Sequence, residues 1–314
     1  MEEIAEPAPG PGEVLVEVHA SGVNFPDILL LQGRYQRKPE VPFTPGGELA
    51  GVVVALGPGV DQLNVDDRVF TSGRYGAWAE RACVPAAMLL PVPVGRSMTA
   101  AAAFPITYNT SYYALKDRAR LRAGETLLVL GAAGGVGLAA VELGHAMGAR
   151  VIAVASTAEK RAACAAHGAD VTLEADPARL RAAVRETTDG AGVDVVYDPV
   201  GGDLSELALR SLAWDGRFLV IGFASGEIPA IPLNLPLLKG ASVIGVFWGA
   251  WAERNAKAAM SNRRELNDLW ASGALNPVVS RTYPFTEAAS ALAELEARRA
   301  IGKVVLTMPA AGGS

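Results

Sequence analysis

Three glycines at regular spacing are the residues of this chain best placed to do chemistry. Gly131 and Gly134 lie between the apolar run Thr126–Leu130 and the Ala-rich segment Val136–Met147, and Gly137 is the second residue of that segment. Glycine at such a turn lets backbone N–H groups approach a phosphate at the N-terminus of the following helix. The spacing is G-x-x-G-x-x-G rather than G-x-G-x-x-G, and glycine also serves close helix–strand packing. The setting predicts a dinucleotide site formed by the backbone of Gly131, Ala133, Gly134, Gly135, Val136 and Gly137.

The residues after the next predicted strand indicate which dinucleotide would bind. Val151–Ala155 is followed by Ser156, and the turn lacks the Asp or Glu that binds the ribose 2′-hydroxyl in NAD sites. Ser156 is suited to donate to a 2′-phosphate, and Lys160, one helical turn later, is suited to neutralise it. The alternative for Lys160 is a solvated lysine on a helix surface. This combination favours NADPH over NADH.

A dinucleotide site of this kind lies at the edge of a parallel β-sheet. Residues 105–249 have the sequence pattern of such a sheet. Short apolar runs alternate with helical segments, which is typical of a parallel sheet covered on both faces. The predicted strands are Thr126–Leu130, Val151–Ala155, Asp170–Leu173, Val193–Tyr197 and Phe218–Ile221. The predicted helices are Val136–Met147, Glu159–His167, Ala178–Thr187 and Leu204–Leu212. The sequence therefore predicts an α/β fold with a Rossmann-type, doubly wound parallel sheet.

The flanking segments have a different pattern. Residues 1–104 contain short β-like runs broken by Gly and Pro, which predicts an irregular, mostly β domain. Residues 250–314 are predicted to return to that domain. Their predicted elements are a helix at Ala252–Ser272, a strand at Val278–Tyr283, a helix at Glu287–Arg298 and a strand at Lys303–Thr307.

The composition of the chain limits the kinds of molecule that we expect it to bind. The 314 residues carry a formal net charge of −5, without a basic field that would attract nucleic acid or an anionic membrane. Two cysteines are too few for a disulfide framework or a four-thiolate zinc site. The opening Met-Glu-Glu lacks the features of a secretory signal. We therefore expect a small-molecule partner and a cytoplasmic location.

Several motifs occur in colinear order from about Pro7 to Leu306. They are Gly22-Val-Asn24-Phe-Pro-Asp27, Pro45-Gly-Gly47-Glu48, Asp66-Asp-Arg-Val69, the segment Gly131–Gly137, Val195-Val-Tyr-Asp198-Pro-Val-Gly-Gly202, Gly245-Val-Phe247-Trp-Gly249 and Gly302-Lys303-Val-Val-Leu306. Together they resemble the zinc-independent quinone oxidoreductase branch of the medium-chain dehydrogenase/reductase superfamily. The resemblance implies a GroES-like β domain formed by both chain ends, with the Rossmann domain inserted between them.

The resemblance also implies the catalytic residues. Relatives place the residues matching Asn24 and Tyr35 beside the nicotinamide and the acceptor. There they would stabilise a developing oxyanion, and Tyr35 would be able to donate a proton. The alternatives are that Asn24 stabilises a turn and Tyr35 packs at a loop. Asp27 is expected to cap the helix that begins nearby.

Further residues are implied at the nicotinamide end of the cofactor. Thr107 resembles a contact of the nicotinamide ribose, and Phe223, Phe247 and Gly249 would flank the pocket. Aromatic residues at strand ends are also common core residues. Asp198 is at the end of a predicted strand. The sequence does not decide whether it contacts the nucleotide or caps the following turn.

Two other positions bear on cofactor phosphates. Lys303 is interpreted as a surface lysine rather than a phosphate contact. Glu174 stands where relatives often carry a Tyr that contacts the 2′-phosphate, which weakens the case for NADPH.

The zinc-dependent alcohol dehydrogenases resemble this chain but need Cys, His and an acid to hold the catalytic metal. The corresponding positions here carry Asn24, Gly47 and Glu48. A lone carboxylate cannot hold zinc in a tetrahedral site. The sequence therefore predicts chemistry without a metal.

Three functions stay open. The leading one is NADPH-dependent reduction of a quinone, because an electron-poor acceptor needs no Lewis acid. The second is reduction of an activated C=C bond in an enone or enoyl-CoA, for which Arg34, Arg37 and Lys38 would supply a small basic cluster. The third, of another class, is a structural or sensor protein that binds NADPH without useful turnover.

Relatives pair through the edge strand of the nucleotide sheet. Here the corresponding segment is Ser242–Phe247, which is apolar and would otherwise be exposed. The resemblance therefore predicts a homodimer.

Overall fold

A computed structural model describes residues 2–36 and 38–308 of the chain. The chain divides into two compact units. The first unit contains the residues up to Ile106 and those from Pro277 onward, and the second is Thr107–Asn276.

The strands of the two units are numbered together in chain order. They are β1 Glu13–Val23, β2 Glu48–Leu56, β3 Arg68–Ser72, β4 Arg81–Pro85, β5 Leu90–Pro91, β6 Thr126–Val129, β7 Arg150–Ala155, β8 Val171–Glu174, β9 Val193–Asp198, β10 Leu212–Val220, β11 Ser242–Gly245, β12 Val279–Pro284 and β13 Lys303–Thr307.

The helices are numbered in the same way. They are α1 Phe25–Leu31, α2 Met98–Ala103, α3 Pro105–Tyr112, α4 Gly135–Ala146, α5 Ala158–Ala166, α6 Leu180–Thr187, α7 Asp203–Arg210, α8 Asn234–Lys239, α9 Trp248–Arg254, α10 Ala256–Ala271 and α11 Ala288–Glu296. A π-helical turn, Tyr113–Arg118, continues α3. Two short 3₁₀ turns, Ala86–Met88 and Phe285–Glu287, complete the set.

The first unit is built on a seven-stranded sheet in the order β12-β13-β1-β2-β3-β5, with β4 also paired to β1. Strand β1 pairs with β2 along one edge, and on the other edge its two halves pair with β4 and β13. Because β13 comes from the C-terminal part of the chain, this pairing joins the two chain ends in one sheet. The predicted β domain formed by both chain ends is therefore confirmed.

The second unit contains a six-stranded parallel sheet in the order β11-β10-β9-β6-β7-β8. This is the strand order of a Rossmann-type sheet, in which the carboxyl ends of all strands meet at one edge. Its core is apolar, with Leu128, Ile152 and Val196 fully buried between the helices and the sheet. The predicted doubly wound α/β unit is confirmed.

The boundary between the two units differs from the sequence prediction at the C-terminal side. The return to the first unit is predicted at residue 250, whereas the structure has it at Pro277. Helices α9 and α10 stay with the second unit because they pack on its π-helical turn. Trp251 stacks on Tyr113 with ring centroids 4.3 Å apart, and Lys116 Nζ donates to Asn262 Oδ1 at 3.0 Å. The first boundary lies after Ile106 rather than after residue 104.

The sequence prediction also differs from the structure at α9 and α10. It expects one helix over Ala252–Ser272, but the structure has α9 and α10 with a break at Asn255, whose φ of −133° and ψ of 48° are not helical. Helix α2 falls in a region predicted to be mostly β. Its residues Ala101–Ala103 are completely buried.

Across the described part of the chain, no helix combines the length and the apolar character needed to cross a membrane. The cytoplasmic location stays a prediction.

A buried carboxylate holds several elements of the second unit together. Glu142 on α4 accepts hydrogen bonds from Tyr108 Oη at 2.5 Å and from the Asn276 N–H at 3.1 Å, and its other oxygen lies 2.6 Å from His167 Nδ1. Burial and the neighbouring carboxylate raise the pKa of Tyr108 well above its ordinary value, so the phenol stays protonated and donates. Glu142 on α4 therefore links α3, the residue that follows α5 and the last residue of the unit.

We expect Glu142→Leu to lower the free energy of unfolding by more than about 2 kcal/mol, because it leaves buried donors without an acceptor. Glu206→Leu is the matched control, since Glu206 only pairs with Arg210 on an exposed face of α7, and its cost should stay below about 0.5 kcal/mol. Denaturant unfolding measures both values. Equal losses in the two variants would contradict the role given to Glu142.

Candidate functional site

The glycine loop of the second unit lies at the carboxyl edge of the parallel sheet, between β6 and α4. Gly137 must be glycine because a Cβ there would lie 2.3 Å from the Gly131 carbonyl oxygen. Gly131 has a φ of +55°, and a Cβ there would lie 2.6 Å from Val200 Cγ2. Glycine at 137 therefore lets α4 begin close to the loop that follows β6, and glycine at 131 makes room for Val200 in the turn after β9.

The N-terminus of α4 is open to a ligand. Gly134 is its N-cap residue, and no side chain within the described chain caps this end of the helix. A Cβ on Gly134 would meet only the Gly131 oxygen, at an ordinary 3.4 Å. Ser111 steadies the loop, because its Oγ donates to the Val136 carbonyl at 2.9 Å and lies 2.8 Å from Tyr197 Oη. Free N–H groups at the positive end of a twelve-residue helix fit a pyrophosphate.

The end of β7 carries the residues predicted to recognise the 2′-phosphate. Ser156 is exposed directly after the strand. Thr157 caps α5 by accepting from the Lys160 N–H at 3.2 Å, which fixes the start of the helix that carries Lys160. Ser156 therefore follows the end of β7 directly, and Lys160 lies in the first turn of the helix that comes next.

Arg161, at the start of α5, was not predicted from the sequence to belong to this site. Its Nη1 lies 3.3 Å from the Ala155 carbonyl oxygen and 3.5 Å from that of Ser156, so the guanidinium is held over the end of β7. The only sequence signal is that it follows Lys160 at the start of α5. Glu174 is exposed at the end of β8 and is the cross-strand partner of Ala155, so a carboxylate also lies near this edge.

Asp198 at the end of β9 has a structural role. Its Oδ1 accepts from the N–H groups of Val200 and Gly201 at 2.8 and 3.0 Å, and its Oδ2 accepts from Ser205 Oγ at 2.5 Å. The carboxylate is buried and shapes the turn into α7. Of the two roles left open by the sequence, the structure supports the capping role.

The residues predicted at the nicotinamide end lie at the same sheet edge or at the start of the unit. Phe223 follows β10 and is half-buried, with its ring against Gly201. Phe247 follows β11 and is 46% exposed, so it is not a core residue. Open space surrounds the position of a Cβ on Gly249, and Thr107 is buried in α3. Their contacts with a cofactor stay predictions.

The first unit contains a buried polar cluster around Asn24. Lys303 Nζ donates to Asn24 Oδ1 at 2.5 Å, to Glu48 Oε1 at 2.7 Å and to the Val23 carbonyl at 2.9 Å. Asn24 Nδ2 donates to Glu48 Oε1 at 2.8 Å, and the Ile106 N–H donates to Glu48 Oε2 at 2.8 Å. The interpretation of Lys303 as a surface lysine is wrong, because it is only 5% exposed and its charge is neutralised by a buried carboxylate.

This cluster does not fit a zinc ion. Its side chains supply an amide, one carboxylate and an ammonium, and the ammonium already binds the carboxylate oxygen that a metal would need. Gly47 contributes no ligand. Over residues 2–36 and 38–308, no group of three or more His, Cys, Asp or Glu side chains is arranged to hold a metal.

Asp27 has the predicted capping role. Its Oδ2 accepts from the Asn24 N–H at 2.8 Å, which closes the N-terminus of α1. Burial raises the pKa of this carboxyl from 3.8 to about 7, although the hydrogen bond from Asn24 and the charge of Lys303 oppose the shift. Asp27 is therefore a buried acid that titrates near neutral pH beside a predicted catalytic residue.

Tyr35 lies just beyond α1 and is half-buried, with its N–H bonded to the Leu29 carbonyl at 3.1 Å. Its catalytic role stays a prediction. Of the proposed basic cluster, Arg34 and Lys38 are exposed, and Arg37 lies outside the described residues.

The raised pKa of Asp27 predicts a pH dependence of stability. Between pH 4 and 7 the folded state holds a proton on Asp27 that the unfolded state has released, so its contribution to stability falls as pH rises. We expect the free energy of unfolding of the wild type, relative to Asp27→Asn, to fall by about 1.4 kcal/mol per pH unit across this window. Above pH 7 the difference should be constant. Urea unfolding from pH 4.5 to 8 measures it, and a flat difference would refute the shift.

Comparison with known proteins adds to this geometry. A family model described as "Alcohol dehydrogenase GroES-like domain" matches residues 10–94, and one described as "Zinc-binding dehydrogenase" matches residues 135–262. The quinone oxidoreductase-like protein 2 homolog of Nematostella vectensis is 39% identical over 95% of this chain and 82% of its own length.

Solved structures are similar over nearly the whole chain. Escherichia coli quinone oxidoreductase complexed with NADPH is 30% identical, with a TM-score of 0.89 over 98% of this chain and 94% of its own. The CurK enoyl reductase is 26% identical, with a TM-score of 0.89 and the same coverage of each chain.

Proposed function

Because this chain belongs to the quinone oxidoreductase branch of the medium-chain dehydrogenase/reductase superfamily, we propose that it is a metal-free, NADPH-dependent reductase of quinones. The observation that carries the proposal is the buried cluster of Asn24, Glu48 and Lys303, in which the ammonium of Lys303 binds the carboxylate of Glu48. Without a Lewis acid, an electron-poor acceptor is the substrate that this site suits best.

The second unit supplies the cofactor site in this proposal. NADPH supplies a hydride from its nicotinamide ring when it is bound. The N–H groups at the start of α4 bind the pyrophosphate, and Ser156, Lys160 and Arg161 bind the 2′-phosphate. The choice of NADPH as the cofactor is supported by NADPH-complexed relatives such as the Escherichia coli enzyme.

The first unit supplies the acceptor site. Asn24 donates a hydrogen bond to the acceptor oxygen that becomes negative during reduction, and Tyr35 or water supplies the proton. The carboxyl of Asp27 holds the backbone of Asn24 in place.

Reduction of an activated C=C bond is the second candidate, because a similar structure is named as an enoyl reductase. An enone or enoyl thioester also develops negative charge on a carbonyl oxygen and would use the same donor. Arg34 and Lys38, both exposed, are the described residues that could meet the phosphates of a CoA substrate.

Cofactor oxidation tests the function directly. We expect rapid loss of absorbance at 340 nm with NADPH and simple quinones, unaffected by chelators, and slower loss with an enone or an enoyl-CoA. A preference for the enone or the enoyl-CoA would favour the second candidate. Tight binding of NADPH with no turnover of any acceptor would favour a structural or sensor role.

Cofactor preference tests the phosphate site at the end of β7. We expect Lys160→Ala and Arg161→Ala each to weaken NADPH binding about 10-fold, as lost hydrogen bonds to a charged group do, and to leave NADH binding nearly unchanged. Arg150→Ala is the matched control, since Arg150 is exposed at the opposite end of the same strand. Fluorescence titration measures both affinities. Equal weakening of NADPH and NADH would remove the residue from 2′-phosphate recognition.

We also propose that two copies pair through β11. This strand is hydrogen-bonded to β10 on one side and is the last in its sheet. Val243 is 50% exposed, and the nearby helix α8 exposes Leu237 and Leu238. An exposed apolar sheet edge of this kind favours association with a second copy.

Light scattering should therefore give twice the mass of the chain, and Val243→Lys should convert the protein to a monomer because it buries a charge at the paired edge. Val65→Lys, at a similarly exposed valine of the first unit, should leave the mass unchanged. A monomeric wild type would disprove the interface.

A further inference from the structure

A cavity of about 520 Å³ lies at the amino edge of the parallel sheet, opposite the edge that carries the glycine loop. Of its lining residues, Glu125 stands directly before β6, Asp194 lies near the start of β9, and Arg217 pairs with the first residue of β11. A volume of this size falls in the range of small-molecule sites. None of the lining residues takes part in the reaction proposed for this protein.

Two half-buried residues of the cavity wall form a fixed ion pair. Arg217 donates to Glu125 through two parallel hydrogen bonds, from Nη1 to Oε1 at 2.9 Å and from Nη2 to Oε2 at 2.7 Å. Arg217 Nε also donates to the Ala119 carbonyl at 3.1 Å. The pair therefore braces the wall, and its two charges neutralise each other.

Two further carboxylates of the wall are bonded to donors of the protein itself. Asp194 Oδ2 accepts from the Thr126 N–H at 2.7 Å, and Asp117 Oδ2 accepts from Asn262 Nδ2 at 2.7 Å. The fourth acidic residue of the wall, Asp215, is exposed. Three of the four acids therefore hold neighbouring parts of the second unit in place.

The other three arginines of the wall, Arg118, Arg120 and Arg122, are exposed. Within the described part of the chain, none of these three guanidinium groups makes a hydrogen bond or an ion pair; only the backbone N–H of Arg122 is bonded, to Glu125. Arginine is the side chain best shaped to bind a carboxylate or a phosphate through parallel N–H bonds. The wall has as many acids as arginines, but the acids are largely bonded and these arginines are not, which favours an anionic ligand.

Arg120 adopts a backbone conformation that arginine disfavours. It follows Ala119, the C-cap residue of the π-helical turn, and its φ of +50° lies in the left-handed region, where helices usually end on glycine. Arginine is therefore less stable than glycine at this position. A residue kept in a strained conformation at the wall of a cavity indicates that its side chain has a use there.

Trp214 adds an aromatic surface to the same wall. It is 77% exposed, whereas the other four tryptophans of the chain are buried or half-buried. A Cβ on Gly240 would lie 3.4 Å from Trp214 Cζ2, so part of the indole ring rests against this glycine. An exposed indole beside several arginines is suited to a flat ring that carries a negative charge, because the ring stacks and the guanidinium groups bind the anion.

We propose that this cavity binds a planar aromatic anion, with the ring against Trp214 and the phosphate or carboxylate group held by Arg118, Arg120 and Arg122. An inorganic anion would leave the indole unused, and an uncharged ring would leave the guanidinium groups unpaired. The cavity lies at the opposite edge of the sheet from the proposed cofactor site. The inference therefore does not rest on the proposed function.

Calorimetric titration with 1-naphthyl phosphate tests the ligand class, since this probe has a flat ring and a phosphate but neither the adenosine nor the nicotinamide of NADPH. We expect it to bind about 10-fold more tightly than 1-naphthol, which lacks the charge, or inorganic phosphate, which lacks the ring. In a parallel titration with 1-naphthoate, tighter binding than that of the phosphate ester would uphold the site and identify a carboxylate ligand. Absence of binding by both aromatic anions at millimolar concentration would overturn the proposal.

Two variants locate the bound probe. Arg120→Gly and Trp214→Ala should each weaken the binding of 1-naphthyl phosphate about 10-fold, through a lost charged hydrogen bond and a lost stacking contact. Arg120→Gly should also raise Tm because glycine relieves the positive φ, so its weaker binding would not come from unfolding. Arg298→Gly is the matched control, an exposed arginine of the first unit with a φ of +54°, and should leave the affinity unchanged. Unchanged affinity in Arg120→Gly or in Trp214→Ala, or an equal loss in Arg298→Gly, would show that the proposal is wrong.

Discussion

The ion pair between Lys303 and Glu48 is the interaction on which the first unit depends. It joins the C-terminal strand β13 to β2, and through Asn24 it joins both to the turn between β1 and α1. Removing one partner of a buried pair costs about 3–5 kcal/mol, because the remaining charge is left in an apolar environment. The same pair occupies the Glu48 carboxylate, so the stability of this unit and the metal-free chemistry that we propose for it would have a common origin.

The second unit depends on a different constraint, which is the close approach of α4 to the loop that follows β6. Glycine at 137 permits that approach, and the N–H groups at the start of α4 are free for a phosphate. Ser111 donates to the Val136 carbonyl near the start of α4 and contacts Tyr197 Oη. Further along α4, Glu142 bonds to His167. The proposed cofactor site thus lies at a sheet edge whose geometry comes from packing, and its proposed charge comes from the side chains after β7.

Some of this organisation was predictable from local patterns. Alternating apolar strands and helices predicted the parallel sheet, because strands buried on both faces have to be continuously apolar. The strand–glycine–helix order predicted where the pyrophosphate would bind, and the missing acid after β7 indicated a phosphorylated ribose. Colinear motifs predicted that both chain ends build one β domain, and the pairing of β1 with β13 confirmed it.

Other features could not be predicted, because they depend on residues that are distant in the sequence. Lys303 is 255 residues from Glu48, and nothing in its neighbourhood distinguishes it from a surface lysine. Helix α10 has an ordinary amphipathic pattern, so only its contacts with Tyr112 and Lys116 show which unit it belongs to. The roles of Arg161 and Asp198 could not be predicted from the sequence either. Charged residues are common near strand ends, and only the hydrogen-bond partners of these two show what they do.

The sequence by itself determined the fold class, the family and the kind of cofactor site, because these follow from periodicity and from short motifs whose residues are neighbours. The tertiary structure alone decided how the side chains are used. It turned Lys303 from a surface charge into the buried partner of Glu48, gave Asp198 a structural role and set the orientation of the Asn24 amide. The physical reason is that burial and hydrogen bonding decide what a polar group can do, and both come from contacts between distant parts of the chain.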